Sequence, residues 1–236
     1  MYYLAKNFMF VFHANMEIGN VKNTYSTNFA SRRLFATTLC KKLADGRRTP
    51  VRAFISELTA QDCSRSDLSI SEWQNTTYGK DILKDLKDWY YPKLRDEYTT
   101  LIPDVQYGFF AVELPLASGN KALSLGEVKI LDDRIVLDRL QSLAKFQDEK
   151  LCFDGGGSAI LYAVADLANK LKKGLVSLEA DKEAVDFYKK AGLRFEPSAG
   201  MQFEPREGLL FFRLYQPEYA KFLEKNGKKF GINIVG

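Results

Sequence analysis

Apolar residues in this chain follow two rhythms, and the places where one gives way to the other mark its elements. The clearest helical rhythm falls at positions 160, 163, 164, 167, 168 and 171, an i, i+3, i+4, i+7 stripe. It begins directly after Asp154-Gly155-Gly156-Gly157-Ser158-Ala159, and Gly174 should stop it. Leu175 to Leu178 then reads as a short buried strand. Asp181 is placed to cap a second helix with the stripe Ala184, Phe187, Tyr188 and Ala191, closed by Gly192. Upstream, β-type runs predict three successive strands, Tyr107–Leu114, Leu123–Leu131 and Ile135–Leu143. Asp132-Asp133 forms the tight turn between the last two, and residues 117–120 form a looser connection before them. Downstream come a strand at Leu209–Tyr215, a short amphipathic helix at Pro217–Lys225, and an apolar tail at 232–235 that could pair at a sheet edge.

The front of the chain is read in the same way. Tyr2–His13 suggests a strand and the Asn-rich Glu17–Thr27 a loop. A helix follows, with Leu34, Phe35, Leu39 and Leu43 on its apolar face, Arg32, Arg33, Lys41 and Lys42 opposite, and Asp45-Gly46 as its stop. Arg47–Pro50 reads as a joint and Val51–Leu58 as a strand. Ser69 or Ser71 could cap a helix. Ile82, Leu83, Leu86, Trp89 and Tyr90 mark a longer one, broken at Pro92 ahead of Leu94 and Tyr98. The sum is an antiparallel meander, one parallel crossover, and antiparallel sequence again. That predicts an α/β (α+β) protein with a mixed, mostly antiparallel central sheet flanked by helices, not a doubly wound sheet. A segment 1–50 packed on a main domain 51–236 is the expected division.

Charge sharpens that division. Residues 1–50 carry a net +6 and residues 51–236 a net −2, within +4 overall. The front segment could therefore attract an acidic partner, although a solvated surface accounts for such charges as well. Cys40, Cys63 and Cys152 lack metal-ligand spacing and read as reduced thiols of a cytoplasmic protein. His13 is the single histidine, so His-based metal centres are excluded, no metal is expected, and a Ser-His-Asp machine is disfavoured. No apolar run has the ~20 residues needed to span a bilayer.

The chemistry concentrates at the glycines. A glycine run directly before a helix leaves backbone N–H groups beside the positive end of the helix dipole, which suits phosphate. A dinucleotide turn is one reading, with Gly155-x-Gly157 and Glu179 as the ribose partner, but Ile160 occupies its third glycine position. A different reading comes from Ala184-Val185-Asp186-Phe187-Tyr188-Lys189-Lys190-Ala191-Gly192-Leu193-Arg194-Phe195 taken with Gly155-Gly156-Gly157-Ser158-Ala159. These stretches resemble the GNAT superfamily of acyl-CoA N-acyltransferases, and the element order matches from about Val51 to Tyr215. Cys152 stands where that family's pyrophosphate loop has Gln or Arg, and Asp181 where it has Asn.

The resemblance implies transfer of an acetyl or other acyl group from acetyl-CoA to a primary amine, on a small molecule or a protein, by direct attack in a ternary complex. It places the co-substrate at Leu143, Gly155, Gly156, Gly157, Ser158, Ala159, Asp181 and Tyr188, with the pantetheine arm along Ile135–Leu143 where that strand splays from Leu175–Ala180. Tyr188 would protonate the departing thiolate, and Glu113, Glu127 or Asp138 would take the amine's proton. The alternative is a GNAT-like binding module weakened by Cys152 and Asp181 and recruited through its basic front segment. A homodimer is a further expectation.

Overall fold

The computed structural model describes residues 32–43, 45–68, 71–92, 101–102, 105–117, 119–143, 152–196 and 209–234. The strand at Tyr2–His13, the loop at Glu17–Thr27, Ser69, Leu94, Tyr98 and His13 itself lie outside them. The sheet order is β10-β1-β2-β3-β4-β5-β7-β9-β8, with β6 pairing separately on β1. The strands are β1 Arg32–Lys42, β2 Arg48–Glu57, β3 Gln106–Leu116, β4 Gly119–Ile130, β5 Arg134–Ser142, β6 Cys152–Asp154, β7 Leu175–Asp181, β8 Arg194–Glu196, β9 Leu209–Tyr215 and β10 Asn233–Ile234. The α-helices are α1 Ser71–Gln74, α2 Gly79–Tyr90, α3 Gly156–Lys170, α4 Val185–Ala191 and α5 Tyr219–Phe230.

Every described pair is antiparallel except one: β5 runs parallel to β7. The expected mixed, mostly antiparallel sheet is therefore present, as are the meander and its crossover helix. The tail also pairs at an edge, Ile234 and Asn233 lying opposite Phe35 and Ala36 of β1.

One element differs in type. Residues 32–42 form a strand, not the predicted helix. Phe35, Thr37 and Leu39 are buried while Thr38 between them is exposed, which is a period of two. Threonine's branched β-carbon favours a pleated surface over a helical turn. Asp45-Gly46, read as a helix stop, is instead the turn of the β1–β2 hairpin: Leu43 N–H donates to Arg47 O at 2.8 Å, and Gly46 has φ +83°. Part of the basic front segment is thus an integral strand of the sheet. Residues 117–120, expected as a loose connection, are a tight one, since β3 ends at Leu116 and β4 starts at Gly119.

The two faces of the sheet carry different helices. On β4, Gly126 faces α3, where an added β-carbon would sit 2.5 Å from Ile160 Cγ2. Its neighbour Glu127 points the other way, toward α2. Helix α3 is buried on more than the predicted stripe, with Ala159, Leu161 and Ala165 also inside. Its second cover is α5, where Gly227 closes on the Tyr162 ring, and Tyr162 in turn packs edge-on to Phe35 at 5.3 Å. α3 ends at Lys170, and the left-handed residue there is Lys172, not Gly174. Gly174 instead docks on the β4–β5 turn, its N–H donating to Asp133 O at 2.8 Å.

Candidate active site

The parallel pair opens like a V. Pairing of β5 with β7 covers Arg134–Leu137 against Leu175–Leu178 and then stops. Beyond it, Arg139–Ser142 remain bonded to β4, and Glu179–Asp181 to β9. Two strand edges therefore diverge with backbone N–H and C=O groups facing a seam, which is the expected splay. In a sheet such groups need partners.

The N-terminus of α3 lies in the mouth of that seam. An added β-carbon at Gly157 would sit 3.1 Å from Phe187 Cζ on α4 and 3.6 Å from Leu140 Cδ2 on the unpaired part of β5. One at Gly156 would sit 2.0 Å from Ser124 Oγ and 3.7 Å from Ser142 Oγ, and those two hydroxyls share a 2.7 Å hydrogen bond. Gly155 caps the helix at φ +104°. The three glycines thus serve backbone shape at 155 and close packing at 156 and 157. The helix's own ladder begins with Ala159 N–H donating to Gly155 O at 3.0 Å, so the N–H groups of Gly156, Gly157 and Ser158 have no acceptor within the helix. Just ahead, Asp154 is held by Lys42 at 3.0 Å and Arg48 at 3.8 Å.

A meander, a glycine-capped crossover helix, and one parallel pair that splays at that helix's N-terminus follow each other in the expected order, with α4, β8 and β9 completing it. This is the element order that the resemblance to the GNAT superfamily implies. The dinucleotide reading fails on the same topology, because β6 before the glycines pairs antiparallel with β1 and is no central parallel strand. Ile160 is accommodated from the other side, the missing glycine being Gly126 on β4.

Scans for a matching protein-family model and for a matching curated protein find none. Among solved structures, the chain is similar to a putative acyl-CoA N-acyltransferase from Klebsiella pneumoniae, at 14% identity and TM-score 0.42, covering 70% of this chain and 97% of that one. It is similar to the spermidine/spermine N-acetyltransferase SpeG from Vibrio cholerae, at 15% identity and TM-score 0.44, covering 72% and 98%. A PaiA N-acetyltransferase from Thermoplasma acidophilum in complex with coenzyme A gives 14%, 0.44, 69% and 98%.

Of the three carboxylates singled out from the sequence, each has a different environment. Glu113 on β3 is fully buried. Arg65 binds its Oε1, while Ser56 Oγ donates to Oε2 at 2.6 Å and Asn120 Nδ2 at 3.3 Å. Arg65 also holds Asp62 at 3.1 Å and clasps Asp67 through two nitrogens at 2.8 and 2.9 Å. Asp138 is half-buried and paired with Lys129 at 2.7 Å. Glu127 on β4 is fully buried beside the residue where β5 leaves β7. Arg139 donates to its Oε2 at 2.7 Å and to Asp85 of α2 through the same nitrogen. Glu127 Oε1 has no hydrogen-bond partner among the described residues. Burial outweighs Arg139 and pushes Glu127 up to about 8.

Tyr188 on α4 is buried, with its ring 4.9 Å from that of Phe187 and 5.5 Å from that of Phe212. Burial, then the nearby Asp181 charge, raises its phenol above the ordinary value. Asp181 stands at the N-cap of the 3-10 turn Lys182–Ala184 that leads into α4, as expected, but its side chain makes no capping hydrogen bond. It ends β7, and its Oδ2 accepts the hydroxyl of Tyr78 at 2.8 Å. Leu143 is buried, and its N–H turns to Leu123 O at 3.0 Å. The sequence reading missed Arg139, Asp85 and Tyr78. Asp85 carried a signal, since it lies three residues from Ile82 on the apolar face of α2, where an acid demands a partner.

Proposed function

We propose that this protein is an acyl-CoA-dependent N-acyltransferase that moves an acetyl group from acetyl-CoA to a primary amine. The observation that carries this reading is the seam between β5 and β7 with a glycine-capped helix N-terminus in its mouth. The unpaired strand edges suit the amide-bearing pantetheine arm, which would lie along β5 as a guest strand. The N–H groups of Gly156, Gly157 and Ser158, with the partial positive charge of the α3 terminus, suit the pyrophosphate. The co-substrate supplies an activated thioester, and the chain's own residues hold it and move protons.

Glu127 is the proposed base. Its free Oε1 accepts a proton from the incoming ammonium through water, and an acid near 8 is matched to that task at neutral pH. The amine nitrogen then bonds the acyl carbon and the carbon–sulfur bond breaks. Tyr188 gives its phenolic proton to the departing thiolate and is restored by the second proton that the nitrogen sheds as the amide forms. Holding amine and thioester together in the seam supplies much of the remaining acceleration. Glu113, committed to Arg65, Ser56 and Asn120, serves structure, and Asp138 serves its lysine.

The test is acetyl-CoA turnover against a panel of amines, alongside melting temperature with added CoA. Turnover with one acceptor class and a CoA-dependent rise are expected. No shift at millimolar CoA would sink the reading. A second reading, a binding module without catalysis, is favoured by the complete burial of Glu127 and by the engagement of Asp181 with Tyr78. It predicts a CoA-dependent rise without turnover.

A further inference from the structure

The seam is open along its backbone but bridged by a side chain. The turn before α2 places Tyr78 over it, fastened at both sides. On the β5 side, Gln141 Oε1 accepts the backbone N–H of Tyr78 at 3.4 Å. On the β7 side, the Tyr78 hydroxyl donates to Asp181 Oδ2 at 2.8 Å. Both anchors lie beyond Leu137 and Leu178, where the strands no longer pair. Tyr78 therefore links the two strands, by its backbone N–H on one side and its hydroxyl on the other, where their own pairing has ended.

We propose that Tyr78 is a clasp across the acyl-donor seam, released from Asp181 when the pantetheine arm enters or leaves. This rests on the reading of the seam as the acyl-CoA site. The two fastenings of the α2 segment differ in strength, and that decides which part moves. α2 is tied to β5 through the Asp85–Arg139–Glu127 ion pairs, both of whose carboxylates are buried, and Ile82 and Leu86 are buried beneath it. Breaking that layer would strand charge in the interior. The Tyr78–Asp181 bond lies at the surface, between an exposed carboxylate and a half-exposed phenol. A single exposed hydrogen bond is weak enough to exchange with water. Helix α2 thus stays in place, and the Tyr78 side chain swings about its own bonds. The hydrogen bond to Asp181, with burial second, raises the Tyr78 phenol, so it remains a donor at neutral pH.

The experiment is stopped-flow binding of coenzyme A to the full chain, wild type against Tyr78→Phe. The phenylalanine keeps the ring and removes only the hydroxyl. Association and dissociation should both be about fivefold faster in the variant, with the dissociation constant little changed. A melting temperature equal to wild type confirms that the fold is intact. Tyr78→Ala, which removes the ring, should be faster still in both directions. If wild type binds coenzyme A and both variants keep its rates, the clasp is overturned and the seam reading stands. If wild type does not bind coenzyme A, the seam reading itself falls.

Discussion

Glu113 and Glu127 are both completely buried glutamates on neighbouring strands, and both lie against an arginine, yet they are opposites. Glu113 has each oxygen engaged: Arg65 on one, Ser56 and Asn120 on the other. Both arginines are shared, Arg65 with Asp62 and Asp67 and Arg139 with Asp85, but Glu127 has one oxygen on its arginine and the other without a hydrogen-bond partner among the described residues. The first arrangement repays burial with hydrogen bonds and fixes the 3-10 turn Ala60–Ser64 to β3. The second leaves the carboxyl under-satisfied, so that it holds its proton up to about pH 8. A buried acid with full partners suits a structural role; the one with an orphan oxygen beside an opening in the sheet is the proposed base.

The largest expected effect that sharpens this contrast is on catalysis. Glu127→Gln should lower kcat by roughly a hundredfold to ten-thousandfold in acetyl transfer while the protein stays folded. A fall confined to KM would count against Glu127 as the base. Next, Arg65→Ala strands Asp62 and Glu113, both fully buried, and should cost about 3–5 kcal/mol in urea unfolding. A cost under ~1 kcal/mol would show that Arg65 is not the centre of that cluster.

The pH dependence tests Glu127 directly. Glu127 has a native value raised to about 8, above the ordinary carboxyl value of 4.5. The folded state thus binds the extra proton, and the stability this gives is whole below pH ~4.5 and lost as pH climbs through about 8. Wild type should lose melting temperature relative to Glu127→Gln between pH 5 and 8, and equal slopes would contradict the raised value. The smallest effect is that of Tyr188→Phe. It should reduce kcat about tenfold, since water can protonate a thiolate, and leave coenzyme A binding unchanged.

The meander, the glycine turn and α3 were legible in the sequence because their apolar rhythms are local and unmixed. β1 was not: Leu34, Phe35, Leu39 and Leu43 fit a helical stripe, and only the neighbouring strand decides for Phe35, Thr37 and Leu39. The candidate site was legible in its backbone and less so in its side chains. Gly155 to Ser158 could be singled out by type and spacing, and Tyr188 by the family resemblance. Which of Glu113, Glu127 and Asp138 is free depends on Arg65, Arg139 and Lys129 arriving from distant sequence. The clasp is invisible in the same way, since Tyr78 and Asp181 are 103 positions apart. The glycine run was read as a phosphate cradle, and at 156 and 157 its neighbours also show close packing against Ser124 and Phe187.

The most direct measurement is the pH–rate profile of acetyl transfer from acetyl-CoA to an amine, for wild type beside Glu127→Gln. The account predicts a wild-type kcat that rises with an ionisation near pH 8, and a variant that is slow and lacks that ionisation. A variant with the wild-type rate and the same profile would contradict it.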